Sequence, residues 1–329
     1  MFEGKKVLVA GGTGMIGRQL VDLLIQAGAR VRIASLDDAS RAHAEAEFIQ
    51  ADLMLFENCA AVCEGMEFVF NLLGVKGSPA VARAKPATFF VPTIILDTNL
   101  MEAAWQARVD GFLFTSSIAV YAPSETLHEE DVWKTFPSEN DRFPGWAKRM
   151  GELQAETYRI QYGWERICIV RPSNVYGPYD NFELENSMVV PSLIKRTIEG
   201  ENPLMVWGDG SAERDFIHAR DVARGMILAA EQMPGEPINL GSGVGVSIRR
   251  LVEIIVGNLE KAPEVQWDIA KPTGDKRRVM GISRARAIGF EPSVSLEQGI
   301  REVMAWYRER KDRLPRRYDV FESATRRET

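Results

Sequence analysis

Cysteine, histidine and long apolar runs are all scarce in this chain of 329 residues. The cysteines are three, Cys59, Cys63 and Cys168, and the histidines are also three. An odd number of cysteines, one of them inside an apolar stretch, is not typical of a disulfide framework. No histidine with ligand-like spacing lies beside them. We therefore predict neither disulfides nor a bound metal.

Basic charge is in deficit as well. The net charge is −6 and the isoelectric point is near 5.4, which argues against a nucleic-acid partner. No apolar run is long enough to cross a bilayer, and the first residues do not resemble a signal peptide. We expect a cytoplasmic protein with no membrane or nucleic-acid partner. Small phosphate-bearing ligands remain possible, because a few local arginines suffice to bind them.

The chain does contain a glycine-rich segment close to its start. Residues 7–10 form an apolar run short enough for a buried parallel strand, and Gly11, Gly14 and Gly17 follow it. Residues 19–26 then have the apolar spacing of a helix. A strand, a glycine turn and a helix form a dinucleotide site, because backbone N–H groups face the pyrophosphate with no Cβ between them. A tight turn without a ligand is the alternative, and the position directly after a strand argues against it.

The end of the second predicted strand, residues 30–34, bears on the choice of cofactor. An acid there holds the ribose hydroxyls, whereas a cation accepts a 2′-phosphate. Ser35 stands at the usual acidic position, and Asp37 and Asp38 follow it. Two carboxylates repel a phosphate, so NAD is predicted. NADP stays open because Ser35 can hydrogen-bond either group, and a solvated acidic turn is the plain alternative.

Further apolar segments alternate with helical patterns along the first half of the chain. The predicted strands are residues 47–53, 67–74, 111–117 and 166–170, and the helices lie near 91–106 and 146–161. This alternation implies right-handed βαβ units and an α/β, Rossmann-like doubly wound parallel sheet.

The domain boundaries follow from where this alternation stops. We predict a dinucleotide-binding domain over residues 1–172, to which 219–241 return. A smaller α/β substrate lobe is predicted from 173–218 and 242–329. Within it, residues 246–259 have the pattern of a helix. The strongly charged end from 311 onward is predicted to be partly disordered.

Five motifs occur along the chain in a fixed order. They are Gly11-x-x-Gly14-x-x-Gly17, Asp52-Leu53, Thr115-Ser-Ser117-x-x-Val-Tyr121, Arg171-Pro-x-Asn-Val-Tyr-Gly-Pro178, and Trp207-Gly-Asp-Gly-x-x-x-Arg-Asp-Phe-Ile-His218 with Asp221. In this order they resemble the extended short-chain dehydrogenase/reductase family of NAD-dependent epimerases and dehydratases, which act on nucleotide-diphosphate sugars. Ala147-Lys-Arg-Met150, Asn181-Phe and Val206-Trp-Gly are most similar to GDP-fucose synthases and other GDP-sugar reductases and epimerases.

The resemblance implies hydride transfer at a sugar carbon, assisted by a serine, a tyrosine and a lysine. Ser117 and Lys148 match the serine and the lysine. The tyrosine should stand four residues before the lysine, where this chain has Pro144, and no tyrosine occurs between Tyr121 and Tyr158. Fucose synthases also have a cysteine where Ala119 stands and a histidine where Met188 stands. Neither replacement carries a proton, so the double epimerisation of fucose synthesis is not expected.

The motifs and the resemblance together assign the binding residues. The cofactor is expected to contact Gly11, Thr13, Gly14, Met15, Ile16, Gly17, Ser35, Asp37, Asp52, Leu53, Leu72, Gly74, Lys148 and Pro172. The substrate is expected to contact Asn174, Trp207, Arg214 and Arg277. The two arginines are assigned to a diphosphate, since guanidinium forks suit phosphate oxygens. Lys276 or Arg278 can be the inward-pointing cation in place of Arg277.

The resulting functional prediction is a nucleotide-sugar oxidoreductase or epimerase with tightly bound NAD. It would act at C4 or C3 of a GDP- or other NDP-hexose or heptose, in nucleotide-sugar metabolism and polysaccharide biosynthesis. The proton would move through Ser117, Lys148, water, or a tyrosine such as Tyr176 or Tyr179. Two alternatives stay open: a binding protein without turnover, and a non-redox lyase or isomerase. The resemblance also implies a homodimer formed through the helices at 91–106 and 146–161.

Overall fold

The computed structural model describes residues 1–313 and 317–321. Seven strands form the main sheet: β1 Lys6–Ala10, β2 Arg30–Ser35, β3 Glu47–Gln50, β4 Phe68–Asn71, β5 Gly111–Thr115, β6 Ile167–Pro172 and β11 Ile238–Leu240. Their spatial order is β11-β6-β5-β4-β1-β2-β3, and every neighbouring pair is parallel. Their carboxyl ends therefore share one edge. The strand order reverses between β1 and β4, and such a crevice is where doubly wound sheets bind ligands.

Helices cover both faces of this sheet. Over the described ranges the α-helices are α1 Met15–Gln26, α2 Phe56–Cys63, α3 Pro79–Ala84, α4 Pro86–Gln106, α5 Arg142–Tyr162, α6 Val189–Ile198, α7 Ala219–Gln232, α8 Ile248–Val256, α9 Ser283–Ala287 and α10 Leu296–Arg310. Side chains alternate along β1, so Val7 and Val9 pack with α1 and α7, while Leu8 packs with α2, α4 and α5. This double burial explains why the strand reads as a continuous apolar run.

The remaining strands form small sheets outside the main one. They are β7 Asn174–Tyr176, β8 Leu204–Trp207, β9 Glu213–Arg214, β10 Phe216–His218, β12 Val246–Ser247, β13 Val265–Asp268 and β14 Arg277–Arg278. β7 pairs with β10, β8 with β13, and β9 lies between β12 and β14. A separate apolar core joins β7, β8, β10, β12 and β13 to α6, α8 and α10. Between β10 and β12 the chain returns to the main sheet, since α7 packs on α1 and β11 pairs with β6.

The structure departs from the sequence-based expectation at several points. The helix expected over 246–259 is shorter, because β12 takes its first two residues and Ser247 caps α8. Of the end expected to be partly disordered, residues 314–316 and 322–329 lie outside the described residues. Residues 317–321 lie against the fold, with Phe321 buried. Among the described helices, none has the length and apolar character needed to span a membrane.

Candidate active site

The glycine turn joins β1 to α1 at the switch point of the sheet. Gly11 has φ +83°, a conformation that side chains other than glycine rarely adopt. A Cβ at Gly17 would overlap the carbonyl oxygen of Gly11, so α1 packs directly on the turn only with glycine there. Gly14 is the N-cap of α1 and has no side chain to cover the first-turn N–H groups. Met15 and Ile16 open the helix. This arrangement fits a pyrophosphate, which binds at such helix N-termini.

The two acids that follow β2 have different surroundings. Asp37 is buried, and its Oδ2 accepts a hydrogen bond from the Thr13 hydroxyl at 2.7 Å. The Ser35 hydroxyl lies 2.8 Å from that of Thr13 and accepts from the Asp37 N–H. Asp38 is exposed and caps a 3₁₀ turn. Asp37 is therefore the acid that faces the glycine turn, with Arg41 Nε 3.4 Å from its Oδ2.

Two cofactor residues predicted after β3 serve mainly to shape the loop. The Asp52 carboxylate accepts from the Met54 N–H at 3.0 Å, and the backbone carbonyl of Asp52 accepts from the Asn58 side-chain amide. Leu53 is buried in the core under α2. Asp52 is half-buried and lies just beyond β3, at the carboxyl edge of the sheet.

Lys148 lies at the carboxyl edge of β4 and is held there by an acid. Its ammonium donates to the Leu73 carbonyl at 2.8 Å and to Asp97 Oδ2 and Oδ1 at 3.0 and 3.3 Å. Asn71, the last residue of β4, donates to the same carboxylate at 3.0 Å. Gly74 lies directly beside the ammonium, since a Cβ built on it would be 3.5 Å from Lys148 Nζ. The Leu72 N–H donates to the Ala10 carbonyl, next to the glycine turn.

Asp97 is the residue of this cluster that sequence reasoning missed. It lies in α4, is 1% exposed, and burial raises its pKa while Lys148 and Asn71 act in the opposite direction. The sequence did contain a sign of it: Asp97 directly follows the apolar run Ile94-Ile95-Leu96, and a carboxylate buried in such surroundings needs a partner. Lys148 is that partner, 51 residues away in the chain.

Ser117 lies just beyond β5, the strand next to β4. Its half-buried Oγ accepts from the Ala119 N–H and caps a short 3₁₀ turn. The neighbouring Ser116 is part of a buried structural network instead. It donates to Glu152, which also binds Arg171 through both carboxylate oxygens at 2.8 and 2.7 Å. Ser117 is therefore the serine left for a ligand at this edge, and Pro172 closes β6 beside it.

Pro144 occupies the third position of α5, one turn before Lys148. A proline is tolerated in a first helical turn because the N–H groups there have no intrahelical acceptor. Three other tyrosines, Tyr121, Tyr176 and Tyr179, pack elsewhere in the fold. Tyr121 is buried, with its hydroxyl between Asn239 and Arg171, and burial raises its pKa. The Tyr176 hydroxyl abuts Gly299 of α10, and Tyr179 packs on Trp306 and Arg18.

The predicted substrate residues fall into engaged and available groups. Asn174 donates to the Asp215 carbonyl at 3.0 Å, and Arg277 is ion-paired with Glu213. Arg278 is the inward-pointing neighbour, paired with Asp141. Arg214 donates to the carbonyls of Glu213 and Thr273, and within the described ranges no carboxylate lies within 4.0 Å of it.

Arg214 also differs from Arg277 and Arg278 in its electrostatic surroundings. Burial lowers the pKa of the Arg214 guanidinium, which is the expected result for a desolvated cation without a close carboxylate. Trp207 is 54% exposed on the same lobe, with Lys271 Nζ 5.6 Å from its ring centre.

The three cysteines lie inside the fold. All three thiols are buried and free, and burial raises their pKa to about 12. Within the described part of the chain, no group of three or more histidine, cysteine, aspartate or glutamate side chains is arranged to hold a metal ion.

The fold and this edge of the sheet define a dinucleotide-binding α/β protein with a smaller second lobe. Residues 7–241 match the model of the NAD dependent epimerase/dehydratase family, and the chain belongs to that family. The NAD predicted from the sequence is the cofactor of this family.

Named relatives cover nearly the whole chain. GDP-L-fucose synthase 1 of Arabidopsis thaliana is 31% identical over 314 residues, which are 93% of this chain and 94% of the relative. UDP-glucose 4-epimerase of Thermotoga maritima, solved with UDP-glucose, has a TM-score of 0.82 at 26% identity and covers 92% of this chain and 99% of its own. The Thermus thermophilus UDP-glucose 4-epimerase, solved with NAD, has a TM-score of 0.80 at 25% identity, covering 93% and 99%.

Proposed function

We propose that this protein is an NAD-dependent nucleotide-sugar oxidoreductase or epimerase with an altered proton-transfer residue. It would act at C4 or C3 of an NDP-hexose or heptose, with a GDP-sugar as the first candidate. The observation that carries the proposal is Lys148, whose ammonium is fixed at the cofactor edge by the Leu73 carbonyl and by buried Asp97. Homologues that act on nucleotide sugars support the substrate class.

The residues divide the work between the two lobes. Residues 1–172 and 219–241 would form the cofactor domain. Arg214 of the other lobe would meet the substrate diphosphate, because the hydrogen-bond partners of its guanidinium among the described residues are backbone carbonyls. NAD, when bound, exchanges a hydride with a sugar carbon. Ser117 would hydrogen-bond the sugar oxygen at that carbon.

The ion pair of Lys148 with Asp97 bears on which way the proton moves. Lys148 Nζ lies 3.0 Å from Asp97 Oδ2. An ammonium donates a proton, and reduction of a keto-sugar is the direction that needs a donor at the sugar oxygen. Tyr176 and Tyr179 are poor candidates for this role, since both pack against α10. We therefore favour Lys148 as proton donor, with Ser117 orienting the oxygen.

The same contacts favour a second function, that of a binding protein without turnover. The Lys148 ammonium already has three acceptor oxygens inside the protein, one from Leu73 and two from Asp97, and Pro144 supplies no phenol. In that case the nucleotide and sugar sites would be kept for recognition alone.

Spectroscopy of the purified protein separates these functions. We would record the absorbance of reduced nicotinamide with NAD or NADH present, before and after adding each of a panel of nucleotide sugars and their 4-keto forms. A change with one sugar identifies an oxidoreductase. Product formation without a lasting change, found by chromatography, indicates epimerisation or non-redox chemistry, and no product with any sugar favours the binding protein.

Two serine variants test the assignment of the residues. Ser117→Ala should keep NADH binding and lose turnover, because the sugar oxygen loses its hydrogen bond. Ser283→Ala, at an exposed position in α9, is the matched control and should match the parent protein. Unchanged turnover in Ser117→Ala would reject the role of Ser117.

We also propose that the protein forms a homodimer through α4 and α5. These helices pack on each other. Three of their apolar residues are exposed to solvent: Val91 is 47%, Leu153 40% and Ile160 78% exposed. Leu153 and Ile160 are seven residues apart and so share one face of α5. The cytoplasmic location and a role in polysaccharide biosynthesis stay predictions.

A further inference from the structure

A short C-terminal segment crosses the cofactor edge of the sheet. Residues 317–321, called here the C-terminal strap, come after α10 of the substrate lobe but lie against the cofactor domain. At one end, the Tyr318 N–H donates to Asp37 Oδ1 at 2.7 Å. This bond joins residues 281 positions apart and reaches the carboxylate that follows β2.

The other end of the strap is anchored by an aromatic side chain. Phe321 is 5% exposed and packs with Ala82 of α3 and Phe89 of α4, its ring centre 6.2 Å from that of Phe89. Val75, Val81 and Val320 complete this cluster. Within the strap, Asp319 accepts from the Phe321 N–H at 2.8 Å and from the side chain of Asn186, a lobe residue, at 2.9 Å.

The order of the strands fixes what lies beneath the strap. β1 stands between β2 and β4 in the sheet. A segment that runs from the end of β2 to the residues after β4 therefore passes the end of β1, where the glycine turn begins. The strap thus lies at the outer side of the place where the pyrophosphate and the adenosine ribose of a dinucleotide would bind.

The strap also occupies the acid that such a ribose requires. Asp37 Oδ2 accepts from Thr13 and Oδ1 from Tyr318, and the residue is only 7% exposed. A backbone N–H to a carboxylate is a charge-assisted hydrogen bond, the same kind that a ribose hydroxyl would form there. The strap therefore covers Asp37 on the side of Oδ1.

We infer that the C-terminal strap is a gate on the cofactor site, which has to release Asp37 before a dinucleotide can bind. The inference rests on the cofactor site described under the proposed function, and it concerns the rate of association. Because the Phe321 anchor and the Asn186 bond join the strap to both lobes, its release also couples cofactor binding to the substrate lobe.

The test measures how fast NADH binds to the full-length protein. NADH at several concentrations is mixed with the protein, and the change in nicotinamide fluorescence is followed by stopped flow. Tyr318→Pro removes the N–H that binds Asp37, and Tyr318→Ala, which keeps it, is the matched control. Phe321→Ala removes the anchor, and Phe136→Ala, an exposed phenylalanine elsewhere, is its control.

We expect the association rate constant to rise about tenfold in Tyr318→Pro relative to Tyr318→Ala, the size expected for losing one charge-assisted hydrogen bond that holds the strap closed. Phe321→Ala should also raise it relative to Phe136→Ala, because the closed strap loses its apolar anchor. Equal or slower association in both variants would overturn the gate while leaving the cofactor site intact. If neither the parent nor any variant binds NADH, the cofactor assignment fails and the gate fails with it. Should Phe321→Ala not fold, the Tyr318 pair still decides.

Discussion

Lys148 and Asp97 are the residues in which chemistry and stability are most closely linked. Both are buried, and each satisfies the other's charge. Removing one member of such a pair leaves an uncompensated buried charge, whereas removing both leaves a neutral site. Lys148→Ala or Lys148→Met alone therefore confounds loss of a proton donor with loss of stability.

This linkage gives a prediction for Lys148→Met. The free energy of unfolding should fall by about 3 kcal/mol at mildly alkaline pH. Burial raises the pKa of Asp97 and the variant lacks the cation that opposes this. An acid whose folded pKa exceeds its unfolded value of about 4 contributes less stability as pH rises between the two. The loss should therefore be smaller at mildly acidic pH, as measured by urea unfolding.

The double variant Asp97→Asn/Lys148→Met is the control for this prediction. It carries no buried charge, so it should regain most of the lost stability, and its difference from the parent protein should vary little with pH. A single variant as stable as the parent at alkaline pH would show that Asp97 is already neutral in the native protein.

At the scale of the element, α5 brings Pro144 and Lys148 to one face, one turn apart. Because Pro144 is in the first turn, it withdraws no intrahelical hydrogen bond. The helix therefore offers the family position for a tyrosine without needing to be rebuilt. What the substitution changes is the chemistry next to Lys148.

Pro144→Tyr should therefore fold, with a change in unfolding free energy below about 1 kcal/mol. With a nucleotide sugar that gives turnover, its rate should exceed that of Pro144→Phe by about a hundredfold, the lower end of what a positioned general acid contributes. Pro144→Phe is the control because it adds the same ring without the hydroxyl. Equal rates would mean that a phenol at this position does not reach the reacting oxygen.

The elements show how far local sequence reasoning extends. β1, β2 and α1 were predictable because buried apolar runs and glycines are local signals. β12 was missed because its two residues pair with β9 and carry no strand pattern of their own. The Lys148–Asp97 pair and the strap depend on contacts 51 and 281 residues apart, which no local pattern contains.

For the whole molecule, the exposed apolar residues on α4 and α5 bear on the proposed homodimer. Single exposed aliphatic side chains are ordinary, but Leu153 and Ile160 lie on one face of a helix and Val91 on the helix packed beside it. Two copies related by a two-fold axis would cover these faces with each other.

The mass in solution tests this arrangement. Light scattering after size exclusion should give about twice the chain mass of 36.8 kDa for the parent protein. Ile160→Glu should shift it toward the single-chain mass, because two buried carboxylates would face each other across the axis. Ile269→Glu is the matched control, since Ile269 is 79% exposed, as Ile160 is at 78%, but lies in the other lobe. A parent protein of single-chain mass, or a dimer unaffected by Ile160→Glu, would place the interface elsewhere or exclude it.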